Sequence, residues 1–291
     1  MLNGKVRISV CATLLTFAAG LTTPAVAQAT PTRIPVTETA HNAPATYGRA
    51  AYLIDATTGK VALSKQGTER MPVASLTKSM TALVVLKEAK LTDTVTITSA
   101  DVRHADDNGG TSADLRPGER VAVKDLLYGL MLPSGADAAY ALARTYGPGL
   151  DGFVGKMNAT ARQLGMKDTK YVNADGLPMS GGDGYSTARD QARLAEVALR
   201  NATFRTVTSS QSHYVPRTAA HRSHTWTNTN KMLGTPGALG VKTGFTRAAG
   251  YCLTFAADRD GHRLIGVILG ESASNRRFDT AQSLIEWART A

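Results

Sequence analysis

Ser75-Leu76-Thr77-Lys78 places a hydroxyl and an amine three residues apart, just ahead of the apolar run Met80-Thr81-Ala82-Leu83-Val84-Val85-Leu86. On a helix, positions i and i+3 share a face, so the Ser75 hydroxyl and the Lys78 amine would lie side by side. A hydroxyl becomes a nucleophile when a base takes its proton. A lysine becomes that base when burial or a second cation lowers its pKa. Lys242-Thr243-Gly244 supplies a second cation. The chemistry on offer is nucleophilic attack by a serine with a lysine as its base.

Neither run is decisive alone. Roughly one Ser-x-x-Lys is expected by accident in a chain of this size, and the sequence contains one. The alternative reading is a capped helix with a solvated lysine in its first turn. Lys-Thr-Gly is expected about a tenth of a time by chance; its alternative is a strand end followed by a turn glycine. A third element is Pro133-Ser134-Gly135-Ala136-Asp137, between two helical stretches. There Ser134 either caps the following helix, contributes to the chemistry, or does both.

The elements that would position these runs are legible as patterns. Lys5 and Arg7, an apolar run over 8–21 and Ala25-Val26-Ala27 have the form of a secretion leader cleaved after residue 27, with an uncleaved anchor as the alternative. The apolar run is shorter than the roughly 20 residues of a membrane span. Residues 28–47, rich in Thr, Pro and Ala, are expected to be a flexible lead-in. Strands are predicted at 50–55 and 61–65 around Thr57-Thr58-Gly59-Lys60. The Ser75 helix should run to about residue 90. Helical periodicity then recurs at 124–132, 136–146, 152–164 and 187–199. Strands return at 239–243, 250–257 and 262–269, with Asp258-Arg259-Asp260-Gly261 as a hairpin turn, and a last helix is predicted at 277–289. This order implies one sheet built from both chain ends (48–90 and 211–291) with a helical lobe (about 91–210) inserted. Such a sheet can bring Lys242 beside Ser75. No internal repeat is present.

Composition narrows the partners. Lys plus Arg number 33 against 23 Asp plus Glu, a net charge of +10. That suits a polyanionic setting such as a cell wall, or serves solubility alone. Cys11 would leave with the leader, so Cys252, in a strand-like run, is expected to be a lone buried thiol with no disulfide. His221 and His224 have ligand spacing, but no Glu follows His221 and no third ligand is in view. Asp106-Asp107-Asn108-Gly109-Gly110 lacks the acids a calcium loop needs at 104 and 115. Nothing resembles a phosphate-cradling loop or a nucleic-acid surface. No metal or cofactor is expected.

Taken in order, these motifs carry a resemblance. The chain is similar to the low-molecular-mass penicillin-binding proteins, D-alanyl-D-alanine carboxypeptidases and transpeptidases, and within them to the single-domain actinobacterial type. The residues that carry it are Ser75-Leu76-Thr77-Lys78-Ser79-Met80-Thr81, the stretch 126–143, Asp175-Gly176-Leu177, Ser186-Thr187-Ala188-Arg189-Asp190, Asn228-Thr229-Asn230 and Gly240-Val241-Lys242-Thr243-Gly244. The implied fold is α/β in the broad sense (α+β) and β-lactamase/transpeptidase-like. It has an antiparallel sheet flanked by helices and an inserted all-helical lobe.

The resemblance also implies roles. Ser75 would attack the carbonyl between two D-alanines, and Lys78, held neutral by burial and by Lys242, would take its proton. Ser134 would relay a proton to the departing amine. The N–H groups of Ser75 and Phe245 would form the oxyanion hole. Lys242 and Thr243 would hold the terminal carboxylate with help from Arg277, and Gly244 would leave room for the substrate as an added strand. The implied partners are peptidoglycan stem peptides ending in D-Ala-D-Ala and β-lactams as covalent inhibitors. A secreted, cell-wall-associated monomer without a C-terminal membrane anchor is expected. One position departs from the pattern: Ser-x-Asn is usual where this chain has Ser134-Gly135-Ala136. Losing such a hydrogen bond costs ~1–3 kcal/mol, or about one to two decades in rate. Two rivals stand beside this reading. A class A β-lactamase needs Glu-x-x-Leu-Asn, which Glu196-Val197-Ala198-Leu199-Arg200-Asn201 misses by one residue. A non-catalytic peptidoglycan binder would fit a degenerate second motif.

Overall fold

The computed structural model describes residues 43–288. The predicted leader (1–27) and most of the lead-in lie outside the described residues. In chain order the elements are β1 (Ala50–Asp55), β2 (Val61–Lys65), a 3-10 turn (Ala74–Thr77), α1 (Lys78–Glu88), β3 (Thr94–Thr96), α2 (Ser99–Asp107), β4 (Arg120–Ala122), α3 (Val123–Met131), α4 (Ala136–Tyr146) and α5 (Gly149–Gln163). There follow α6 (Ala188–Ala198), α7 (Ala202–Ser209), β5 (Ser212–Val215), β6 (His224–Thr227), β7 (Ala238–Thr246), β8 (Gly250–Arg259), β9 (His262–Glu271) and α8 (Arg276–Ala288).

The main sheet has the order β2-β1-β9-β8-β7, antiparallel throughout. The two chain ends therefore do build one sheet: β1 pairs with β9 from Ala50↔Leu269 to Asp55↔Leu264. The β8–β9 connection turns on Asp260 and Gly261, both at positive φ, with Arg259 opposite His262, as a two-residue hairpin of this hand requires. Period-two alternation sorts the strands' side chains to two faces. Leu253, Phe255, Ala257, Leu264 and Ile268 pack under Phe278, Ala281, Leu284 and Ile285 of α8. Cys252, Ala256, Ile265, Val267 and Leu269 join the larger core on the opposite face.

That larger core is organised by α1. Every residue from Lys78 to Val85 is buried, the pattern of a helix surrounded on all sides. It packs against α3, α4, α5 and α6 and touches β7. The interval read as a helical insertion also carries the short β3–β4 ladder, and α6 and α7 lie on the sheet, against β1, β9 and β7. Two helices escaped the sequence reading. In α2 the apolar content is too low to show a stripe. A Thr98/Asp101 capping box, with reciprocal bonds of 3.3 and 2.7 Å, marks its start. In α7 six of the eight residues are small or β-branched, and Asn201 caps the N-terminus. Among the described residues, no helix is long and apolar enough to cross a membrane.

Candidate active site

Ser75 does not sit on α1 itself but in the 3-10 turn that leads into it, and Lys78 is the first α-helical residue. In a 3-10 turn, i and i+3 eclipse, so this geometry stacks the two side chains more directly than the α-helix expected from the sequence. Lys78 Nζ lies 3.0 Å from Ser75 Oγ. The turn is held under strain: Ala74 adopts φ +50°, a left-handed conformation costing roughly 1–2 kcal/mol in a residue with a Cβ. The Asp175-Gly176-Leu177 loop packs on it so closely that a Cβ on Gly176 would fall 1.9 Å from Ala74 O. Gly176 is also at φ +80°, so glycine is required there on both counts.

The second lysine arrives on β7, an edge strand of the sheet. A Cβ on Gly244 would lie 3.0 Å from Val73 O and 3.1 Å from Ser75 N. The strand therefore runs directly alongside the Ser75 turn. Lys78 and Lys242 are both about 1% exposed. Burial pulls Lys78 down to about 8, against the opposing charges of Asp175 and Asp137. Lys242 is pushed well below the usual lysine range, by burial first and then by the positive charges of Lys78 and Arg277. The mutual repulsion expected from the sequence is present, but it acts on Lys242. Lys78 is lowered by burial and partly restored by acids.

Ser134 is buried at φ +68° between α3 and α4, and its Oγ has no hydrogen-bond partner among the described residues. The structure thus brings its segment to the site without joining it to Lys78. Ala136 is fully buried, and its N–H donates to Thr111 O at 2.7 Å. The loop above it is clamped by the buried Asp137 carboxylate, which accepts from Ser112 Oγ, Ala113 N and Leu115 N at 2.7, 2.8 and 3.2 Å.

The remaining predicted residues divide. The Thr243 hydroxyl pairs with that of Thr229 at 2.7 Å, and Thr229 N–H donates to Leu132 O at 3.2 Å. This links β7 to the end of α3. Phe245 is half exposed and stacks on Tyr251 at 4.4 Å. Arg277 is buried between Tyr251 and Phe278, and it donates to Gly244 O at 3.0 Å and Cys252 O at 3.3 Å. Its guanidinium thus braces the strand from behind. Cys252 is fully buried, and burial pushes its thiol up to about 11, as befits an unreactive side chain.

Three residues of the site carried no role in the sequence reading. Asp175 O accepts from Lys78 Nζ at 3.0 Å. Thr229 ties Thr243 in place, and His104 contacts the Asp175 carboxylate. The first two lay within runs that carried the resemblance, but a backbone carbonyl's partner has no signature in residue type. Glu196, the residue nearest a β-lactamase glutamate, is engaged by Arg193 at 2.8 Å and Arg200 at 2.6 Å. It sits on α6 beside β1 and β9. Among the described residues, no cluster of His, Cys, Asp and Glu could hold a metal ion.

Comparison with known proteins places this geometry. The sequence model of the D-alanyl-D-alanine carboxypeptidase family matches residues 37–273. The chain belongs to that family. It is 40% identical over 249 residues to the D-alanyl-D-alanine carboxypeptidase of Streptomyces sp. strain K15, covering 81% of this chain and 85% of the relative. It is 35% identical over 257 residues to DacF of Bacillus subtilis, covering 86% of this chain and 63% of that longer enzyme. It is 35% identical over 237 residues to DacB2 of Mycobacterium tuberculosis, covering 80% and 79%. The crystal structure of the Streptomyces K15 DD-transpeptidase superposes with a TM-score of 0.81 at 37% identity, over 86% of this chain and all of that one. The enzyme is thus a serine peptidase of the penicillin-binding type, with the transpeptidase fold expected from its motifs.

Proposed function

We propose that Ser75 is the nucleophile and Lys78 the general base of a D,D-peptidase that works through an acyl-enzyme. The observation that carries this reading is the 3.0 Å contact between Ser75 Oγ and a buried Lys78 amine lowered to about 8. A neutral amine accepts the Ser75 proton as Oγ bonds to the carbonyl carbon between two D-alanines. The N–H groups of Ser75 and Phe245 receive the developing oxyanion, the former at the N-terminus of α1 where negative charge is favoured. The C–N bond breaks, and Lys78 returns the proton to the leaving D-alanine nitrogen through Ser134, whose hydroxyl has no hydrogen-bond partner among the described residues. Water then releases the acyl group, or an amine acceptor takes it.

Lys242 and Thr243 hold the substrate's terminal carboxylate. Arg277 supports that role through Gly244 O more directly than through the carboxylate itself. The substrate lies as a strand against β7 and is a peptidoglycan stem peptide ending in D-Ala-D-Ala. The enzyme is secreted through the 1–27 leader and acts at the cell wall as a monomer. Residues 48–291 form the catalytic domain, its main sheet drawn from both chain ends.

Intact mass spectrometry after incubation with benzylpenicillin tests the reading. A stable adduct of the whole drug is expected on the wild-type protein and none on Ser75→Ala. An unmodified wild-type protein overturns the acylation mechanism, and rapid drug hydrolysis favours a β-lactamase. D-Alanine release from a diacyl-Lys-D-Ala-D-Ala peptide, with and without glycine, separates hydrolysis from transfer.

A further inference from the structure

The support for Lys78 continues on the far side of Asp175. The Asp175 carbonyl accepts from Lys78, while its carboxylate takes two other contacts: Oδ1 accepts the Leu177 N–H at 2.9 Å, and Oδ2 lies 2.5 Å from His104 Nε2. His104, in the last turn of α2, stacks on Tyr140 at 4.3 Å. Asn108 Nδ2 approaches its Nδ1 at 3.4 Å, a contact compatible with the tautomer in which Nε2 donates to Asp175. The Asp175 side chain is only 2% exposed, whereas the histidine is 20% exposed and lines a cavity of about 450 Å³ with Asn108, Tyr140, Asp151 and Asn173. A general base buried on one side of a carboxylate is therefore connected, through that carboxylate, to an imidazole open to solvent on the other.

We propose that His104 and Asp175 are positioning residues that set the basicity of Lys78: Asp175 fixes the amine through its carbonyl, and the His104 N–H offsets the charge of its carboxylate. The inference rests on Lys78 being the base that activates Ser75. A bare carboxylate beside a buried amine favours the ammonium form, and a hydrogen bond that draws its charge away relieves that effect. The other ionisable groups facing this network are Asp137 and Tyr140 from α4, Asp151 from α5, Lys242 from β7 and, beyond Lys242, Arg277 from α8. None of these touches the Asp175 carboxylate. Burial alone would raise Asp175; its carboxyl instead lies below the ordinary value because His104, the Lys78 charge and the Leu177 N–H outweigh that cost.

The two members of the pair should act in opposite directions. Removing His104 leaves the carboxylate's full charge on Lys78, so the acid limb of acylation moves to higher pH. Asp175→Asn removes the charge and keeps the carbonyl, so the limb moves to lower pH. The test is the benzylpenicillin acylation rate from pH 5 to 10, read by quenched intact mass, with melting curves to establish folding. His104→Ala should displace the limb upward by about one pH unit, which is tenfold in rate below it. Added imidazole, which the cavity can admit, should restore the rate, and His104→Gln, which retains an N–H donor, should stay near wild type. Asp175→Asn should displace the limb downward; should it not fold, His104→Ala and imidazole decide the matter. A limb that does not move, a uniform loss at every pH, or displacement of both variants in one direction overturns the proposal. Absence of acylation in the wild-type protein overturns the acylation reading itself, and is distinguished because every variant is scored against wild type.

Discussion

Lys78 and Lys242 are equally buried, yet their surroundings differ. Lys78 has two oxygen partners, Ser75 Oγ and Asp175 O, and two carboxylates, Asp175 and Asp137, close enough to favour its charge. Lys242 has the Thr243 carbonyl at 3.1 Å, and its charged neighbours are Lys78 and Arg277. Burial lowers both amines, but acids stop the fall of one near the range where proton transfer is useful, while cations extend the fall of the other. The difference teaches a division of labour. In the proposed mechanism Lys78 is the amine that exchanges a proton. In the same proposal Lys242 meets the substrate carboxylate, an anion that would offset the positive charges around it.

The comparison can be broken in three places. The largest effect is expected at Lys78: Lys78→Ala should slow acylation by about 10²–10⁴-fold, the usual worth of a positioned base. In the wild-type enzyme the acylation rate should climb as pH rises through about 8, because the neutral amine is the reactive form. A rate that is flat from pH 6 to 9 contradicts the assignment. Lys242→Ala should be milder, about 10–10²-fold for ligands that carry the carboxylate, as expected when one charged hydrogen bond is lost. It should spare esterified ligands. Equal losses for acid and ester would remove Lys242 from carboxylate binding. Gly244→Ala is the smallest. Its methyl meets Val73 O and Ser75 N at 3.0 and 3.1 Å, so β7 must retreat a few tenths of an ångström from the nucleophile. About a tenfold loss of acylation with little change in melting temperature is expected, measured on the purified protein.

Much of the fold was legible because it is written in local periodicity. The strands β1 and β2 and the helix α4 lie where alternation and helical spacing put them, and β7–β9 and α8 differ only at their ends. The 3-10 turn at Ser75 was not legible, because its geometry follows from a left-handed Ala74 wedged under the Gly176 loop. The helix α2 is polar along most of its length, and its cap was the only local signal available. Arg277 shows the limit from another side. The resemblance implied help with the substrate carboxylate, and only the structure gives its donations to Gly244 O and Cys252 O from between two aromatic rings.

The sequence by itself determined which groups could react. A serine and a lysine three residues apart, a Ser134 loop and a Lys-Thr-Gly strand are properties of residue type and spacing, and they carry the family with them. Tertiary structure decided the state of those groups. The lowered amine of Lys78, the cation-crowded Lys242, the burial of Ser134 and the His104–Asp175 contact all depend on burial and on distances between residues far apart in the chain. Desolvation and Coulomb energy act through space, so neither can be read from the order of residues.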